Sequence, residues 1–282
     1  MATLQEIQKV TDENSGKHVT VEGLKIHYND IGTGDPIICI HGGGPGASGW
    51  SNFRTNLQDL ALNHRVLLFD MPGWGRSEFN GSTEPWHDFI SRMIGGFMDA
   101  LNIKSAYFIG NSMGGQAVIK LAINHPERVK HLVMIGSQPT RTITVQAEPL
   151  DGLDNIVKFY RGGPSKEKMR RLVESLVHDS SWLTDDVVEE RFKVATTPEA
   201  LRQAELRTKQ PRHDLYFEIE KITVPTLLVW GINDKGGALE VGLLMLRRMK
   251  NARMYIFQNC GHWAQVEKRE EFDRVVLDFF KH

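Results

Sequence analysis

The stretch Ala106-Tyr107-Phe108-Ile109-Gly110-Asn111-Ser112-Met113-Gly114-Gly115-Gln116-Ala117-Val118-Ile119 decides the fold. Its first four residues are a short apolar run, which predicts a buried strand. The residues from Gln116 to Ile123 follow the apolar period of a helix. Between the two, Ser112 sits in a Gly-x-Ser-x-Gly pattern at a strand-to-helix corner. That corner is too sharp for large neighbours. Glycines on both flanks let the backbone fold tightly and lift the serine hydroxyl above the sheet, as in a nucleophile elbow.

Outward from this corner, short apolar runs alternate with helical patterns. Ile37-Ile38-Cys39-Ile40, Val66-Leu67-Leu68-Phe69, Leu132-Val133-Met134-Ile135, Thr226-Leu227-Leu228-Val229-Trp230 and Met254-Tyr255-Ile256-Phe257 all read as buried parallel strands. Continuous apolar strands between helices predict a mostly parallel sheet covered on both faces. The stretch His18 to Tyr28 supplies one or two antiparallel strands at its edge. The alternation stops between Gln138 and Glu220, where four helix-like pieces and no strand are found. Ser165 caps one, with Met169, Leu172, Val173, Leu176 and Val177 on its apolar face. Thr184 starts another, and Thr197-Pro198-Glu199 a third, with proline at the first helical position. The expected architecture is an α/β core of residues 1–137 and 221–282, with an all-helical cap of residues 138–220 inserted between two strands. Such a cap covers the carboxyl edge of the sheet, where open α/β folds bind ligands.

Composition narrows the function classes. The chain has 282 residues, 40% apolar and 24% charged, with a formal net charge of −1. That balance gives no electrostatic reason to bind nucleic acid or an anionic membrane. The longest apolar runs are strand-sized, too short to cross a bilayer. The polar start of the chain lacks the layout of a signal peptide, and two cysteines, Cys39 and Cys260, in different predicted strand regions make no disulfide framework. A reducing cytoplasm is the expected location.

A serine hydroxyl is a poor nucleophile at neutral pH and needs a base, which needs an orienting acid. Asp234 stands on a loop just past the strand ending at Trp230, and His262 follows the strand ending near Phe257. The order Ser112, Asp234, His262, each after a strand, is that of α/β hydrolases. Asp70 also ends a strand, but it precedes the serine and suits a cap on the Pro72-Gly73 turn. His41-Gly42-Gly43-Gly44-Pro45-Gly46 follows the first buried strand and offers a backbone N–H, at Gly43, for an oxyanion; Met113 offers the second. His41 orients this loop. The segment Gly44 to Gly49 also matches Gly-x-Gly-x-x-Gly, with Asp70 about 20 residues on, as a dinucleotide site requires. Pro45 stiffens the place where a pyrophosphate would approach bare backbone, and that reading leaves the serine, aspartate and histidine without a role.

On the helix that starts near Thr184, Val187, Val188, Phe192, Val194 and Ala195 form an apolar stripe, and Arg191 lies within it. Two readings stay open from the pattern: the arginine stem snorkels past the stripe to water, or its guanidinium enters a pocket to meet a carboxylate.

The chain resembles the meta-cleavage product hydrolases, carbon–carbon bond hydrolases of aromatic degradation, over nearly its whole length. The likeness is densest in His41 to Phe53, in Gly110-Asn111-Ser112-Met113-Gly114-Gly115 and in Cys260-Gly261-His262-Trp263-Ala264-Gln265-Val266-Glu267. The resemblance implies a 2-hydroxy-6-oxohexa-2,4-dienoate substrate with a substituent on C6. It implies that Arg191, Asn111 and Trp263 hold the carboxylate and 2-oxygen end, with Asn52 as a further polar pocket residue. It also implies that His262 takes the proton of the 2-hydroxyl during enol-to-keto tautomerisation. Ser112, activated by His262 and Asp234, then attacks C6, with Gly43 and Met113 as oxyanion donors. The products are 2-hydroxypenta-2,4-dienoate and a carboxylic acid. No metal or organic cofactor is needed, and the resemblance implies a homo-oligomer, dimer or larger.

Two departures concern the substituent. Lys235-Gly236-Gly237 follows Asp234, and Gly136-Ser137-Gln138 follows the strand ending at Ile135. The two small glycines would leave room for an aryl or larger substituent, so a 6-aryl substrate is expected to exceed a 6-methyl one. A carboxylesterase with the same triad, or a non-catalytic ligand receptor, are the rival readings.

Overall fold

The computed structural model describes residues 3–139 and 150–282. Its eight strands form one sheet in the order β1-β2-β4-β3-β5-β6-β7-β8. They are β1 (Gly16–Val21), β2 (Leu24–Ile31), β3 (Asp35–Ile40), β4 (His64–Phe69), β5 (Ala106–Asn111), β6 (Val129–Ile135), β7 (Thr226–Gly231) and β8 (Ala252–Phe257). The hairpin β1-β2 is antiparallel and pairs antiparallel with β4; every other neighbour is parallel. Each run named in the sequence as a strand is therefore a strand. One differs in burial. β8 is the edge strand, and Ile256 is 39% exposed, since no described strand pairs on its outer side.

Alternation along β3 sorts the core. Ile38 and Ile40 join the cluster with Phe69, Phe97, Phe108 and Trp230, whereas Ile37 and Cys39 join Phe53, Val66, Ile109 and Phe272 on the other face. Helices Trp86–Ala100 and Met113–Asn124 cover the first face, and Arg269–Phe279 the second. Both cysteines are free and buried, with Cys260 in the loop after β8.

Between β6 and β7 lie the helices Asp151–Tyr160, Lys166–Glu174, Asp185–Ala195 and Pro198–Lys209. Residues 140–149 of the expected cap lie outside the described residues. Ser165, Thr184 and Thr197 each accept a hydrogen bond from a backbone N–H of the first turn they precede. These helices carry a small core of their own, with Phe159, Met169, Leu172, Val173, Leu176 and Val188. Val194 does not belong to it. It is 47% exposed, since the helix turns that position to solvent while Val188 and Ala195 face inward.

Candidate active site

Ser112 follows β5 and precedes the helix Met113–Asn124, with φ 53° and ψ −118°. Side chains other than glycine seldom adopt that conformation, which stores about 1–3 kcal/mol of strain. The neighbours hold it there. The Ser112 N–H donates to Ile135 O at 2.7 Å. Gly114 lies so close to the end of β3 that a Cβ would collide with the Ile40 carbonyl. The helix begins at once, so the Met113 N–H points out of its first turn, where backbone donors and the helix dipole favour negative charge.

Asp234 and His262 meet below this corner. His262 Nδ1 lies 2.9 Å from each Asp234 carboxylate oxygen, and both residues are buried. Asp234 Oδ1 also accepts from the backbone N–H groups of Gly236 at 2.7 Å and Gly237 at 2.8 Å. The carboxylate is thus fixed by the turn that carries it, and its contact with Nδ1 leaves Nε2 as the free ring nitrogen. The His262 N–H donates to Leu176 O at 2.7 Å, tying the loop of the base to the inserted helices. Ser112 Oγ makes no hydrogen bond to a described residue, as is common where a catalytic contact tightens only with substrate.

The two glycines expected to leave room for the substituent, Gly236 and Gly237, have another task, and so does Gly136. A Cβ on Gly136 would stand 2.7 Å from Asp234 Oδ2 and from His262 Nδ1, and one on Gly236 would stand 2.7 Å from His262 Cγ. Gly237 abuts the Gly136 backbone. These positions are small because the imidazole and the carboxylate pack on them, which corrects the sequence argument for space around a C6 aryl group. Ser137 is fully buried, its hydroxyl turned toward Gly110 O and Ile135 O.

The glycine loop after β3 is braced from below. Asn52 Oδ1 accepts the Gly42 N–H at 3.1 Å, and Trp74 Nε1 donates to Gly43 O at 3.3 Å. His41 Nε2 accepts the Met71 N–H at 3.0 Å, while Nδ1 reaches Gly42 O at 2.7 Å. Burial depresses the His41 pKa, so the ring is a neutral strut. Asn52, expected as a further polar pocket residue, spends its Oδ1 on the loop backbone. Among the described residues, the Gly43 N–H has no acceptor. The Met113 side chain lies against Gly43, where no Cβ would fit.

Asn111 is fully buried. Its Nδ2 donates to His262 O at 3.1 Å and Ile135 O at 3.3 Å, and its Oδ1 has no partner and faces Gly42. Arg191 reaches inward from the helix Asp185–Ala195. Its guanidinium lies 5.2 Å from the Trp263 ring centroid and passes Gly44 and Gly46. Burial pushes its pKa down to about 10, its Nε is buried without a partner, and no carboxylate among the described residues pairs with it. Of the two sequence readings, the inward one describes this side chain.

Asp70 is occupied elsewhere. It accepts from His27 Nδ1 at 2.8 Å, Gly49 N at 2.7 Å and Arg76 N at 3.0 Å. Burial would raise its pKa, but the His27 hydrogen bond and its other partners hold it down. A carboxylate so engaged is not available to a ribose, and Arg191 covers the Gly44–Gly46 backbone. The dinucleotide reading falls on both counts.

Sequence reasoning missed Glu267, whose carboxylate bridges the Gly261 N–H at 2.9 Å and the His178 N–H at 2.7 Å. It locks the histidine loop to the inserted helices. Burial raises its pKa while those backbone donors pull it down.

The alpha/beta hydrolase fold family model matches residues 35–269. A 2-hydroxy-6-oxononadienedioate/2-hydroxy-6-oxononatrienedioate hydrolase of Cupriavidus pinatubonensis is 35% identical over 97% of this chain and 98% of its own. One from a Pseudomonas species is 37% identical over 96% and 98%. Among solved structures, the meta-cleavage product hydrolase of Pseudomonas fluorescens IP01 superposes with a TM-score of 0.84 at 30% identity, covering 95% of this chain and 98% of that one. The 2-hydroxy-6-oxo-6-phenylhexa-2,4-dienoate hydrolase of Rhodococcus sp. strain RHA1 gives 0.85 at 27% identity, with the same coverage.

Proposed function

The chain belongs to the α/β-hydrolase fold family and, within it, to the hydrolases of meta-cleavage products, and from that premise we propose that it hydrolyses the C5–C6 bond of a 2-hydroxy-6-oxohexa-2,4-dienoate substituted at C6. The observation that carries this reading is Arg191, a half-buried cation with no acidic partner among the described residues, set between the glycine loop and Trp263. A plain esterase has no use for such a charge, whereas a dienoate brings the carboxylate that answers it.

In this mechanism Arg191 and Trp263 hold the carboxylate, and Asn111, whose Oδ1 has no partner, accepts from the 2-hydroxyl. His262 accepts the proton of the 2-hydroxyl and passes it to C5, giving the 2-keto form and a neutral imidazole. Ser112 Oγ then attacks the C6 carbonyl as His262 Nε2 takes its proton. The oxyanion is met by the N–H groups of Gly43 and Met113. When the C6 carbonyl reforms, the C5–C6 electron pair passes through C4 and C3 to the 2-keto oxygen, His262 gives that oxygen the proton taken from Ser112, and 2-hydroxypenta-2,4-dienoate leaves. Water, deprotonated by His262, frees the acid from Ser112. Asp234 orients the imidazole and stabilises its protonated form. The argument from glycine-sized space for a 6-aryl group no longer supports that preference. The dioate substrates named for the relatives are equally open to this site.

The test follows the loss of the dienolate absorbance with 6-aryl, 6-alkyl and terminally carboxylated dienoates. Ser112→Ala should bind the dienoate and release no product. Arg191→Ala should lose dienoate turnover about 100-fold while p-nitrophenyl ester hydrolysis falls far less, a difference of about 2.7 kcal/mol. Parallel loss on both substrates would favour the esterase reading.

A further inference from the structure

The Met113 side chain joins the two residues whose N–H groups would meet the oxyanion. The Met113 backbone supplies one donor, and its thioether lies against the α-carbon of Gly43, which supplies the other. A Cβ on Gly43 would overlap Met113 Sδ and stand 3.3 Å from Cγ and 3.4 Å from Cε. Asn52 and Trp74 already brace the loop at the Gly42 N–H and the Gly43 carbonyl; Met113 covers Gly43 from the elbow side. An unbranched thioether with three rotatable bonds adapts to many shapes, so left alone it fixes nothing. Here the sulfur is held. Arg212 Nη2 donates to Met113 Sδ at 3.2 Å, and the guanidinium lies 5.0 Å from the Trp86 ring centroid. Trp86 is buried at the start of the helix Trp86–Ala100, and its N–H donates to Pro211 O at 2.7 Å. Arg212 thus reaches the sulfur from a segment tied to the helix that covers the sheet.

Sulfur is a weak acceptor, but a charged donor strengthens the bond, and the indole beside the guanidinium favours its place. Oxyanion stabilisation needs donors set in advance about 2.7–3.1 Å from the developing charge, and one lost donor costs on the order of 100- to 1,000-fold in rate. A thioether free to change rotamer would no longer hold Gly43 from its open side. We propose that Arg212 is a positioning residue of the oxyanion hole: resting on Trp86, it pins the Met113 thioether against Gly43 and keeps the two N–H donors at a fixed spacing. In this role it touches no reacting atom. The inference rests on the acyl-serine chemistry of the proposed function, and it holds whether the bond broken is carbon–carbon or an ester. Arg212 therefore differs from Arg191, whose loss should weigh on dienoates far more than on esters.

The experiment is a double-mutant cycle of Arg212→Leu and Met113→Leu, with kcat and KM measured on p-nitrophenyl acetate and on a dienoate. Met113→Leu keeps the backbone N–H and removes the sulfur acceptor. Arg212→Leu should lower kcat about 10-fold on both substrates, with KM within about twofold. In the Met113→Leu background the same change should cost less than about twofold, because the contact is already gone. Arg212→Lys keeps a charged donor and should recover part of the loss. A loss of about 10-fold that persists without the sulfur places the action of Arg212 elsewhere, and a rise in KM confined to the dienoate makes it a substrate contact; either overturns the proposal. Should Arg212→Leu fail to fold, Arg212→Gln takes its place in the cycle. A second readout needs no turnover: the Met113 methyl signal in a carbon-13 NMR spectrum should move toward its rotationally averaged position when Arg212 is replaced, and an unmoved signal overturns the pinning. A wild type that hydrolyses the ester and no dienoate sinks the carbon–carbon reading, and the cycle on the ester then decides the role of Arg212 separately.

Discussion

Gly236 offers a direct test of how the candidate triad is supported. A Cβ placed there lies 2.7 Å from His262 Cγ and 2.8 Å from Cδ2, where ordinary contact begins near 3.4 Å. In Gly236→Ala either the imidazole or the turn after Asp234 must therefore recede by about 0.7 Å. The turn is the stiffer partner, because its own N–H groups at Gly236 and Gly237 are bound to Asp234 Oδ1. The imidazole is held by Asp234 through Nδ1 alone on its ring, so the ring moves. A displacement approaching 1 Å between base and nucleophile lowers rate on the order of 100-fold. The expected result is a fall in kcat of about 10- to 100-fold with little change in KM, since Arg191 and Trp263 are untouched.

Single-turnover kinetics on a dienoate, with chemistry separated from product release, is the appropriate assay. Overpacking also destabilises, by roughly 1–3 kcal/mol, so the melting temperature must confirm that the variant is folded under assay conditions. If Gly236→Ala keeps kcat within about threefold and shifts the preference among C6 substituents instead, the glycine lines the substrate pocket and the packing argument is wrong.

Other perturbations probe the surroundings. Asn52→Ala removes the acceptor of the buried Gly42 N–H and should destabilise by about 1–3 kcal/mol while lowering kcat, both readable from a melt and a progress curve. Asp273 is buried beside Asn56, with Asp59 nearby, and burial raises its pKa to about 8. Its folded-state value exceeds the unfolded one near 3.8, so the folded chain holds the proton longer and stability declines as pH rises from about 4 to 8. Asp273→Asn should flatten that decline, with a Tm advantage over wild type that widens between pH 5 and pH 8; a constant gap would refute it. Glu267→Ala should loosen the loop of His262 by freeing the Gly261 and His178 N–H groups, lowering kcat and increasing amide exchange at both.

The parts of this molecule that were legible in the sequence are those written in local chemistry. The corner at Ser112 announces itself because a positive φ on a serine needs glycines at Gly110 and Gly114, and Asp234 and His262 follow because each stands just past an apolar run. Arg191 was legible as an anomaly in an apolar stripe, although the stripe itself misled at Val194, where the pattern could not say which edge of the helix meets water. Packing across distance left no such mark. Gly236 reads in sequence as open space, yet it is small because an imidazole from 26 residues further on rests against it. Asn52 reads as a polar pocket residue, and the sequence gives no sign that its carbonyl also braces Gly42. A residue's chemistry predicts its part when the chain supplies the partner nearby; where the partner arrives through the fold, only the juxtaposition reveals whether small means roomy or crowded, and whether a charge is solvated or waiting for its counter-ion.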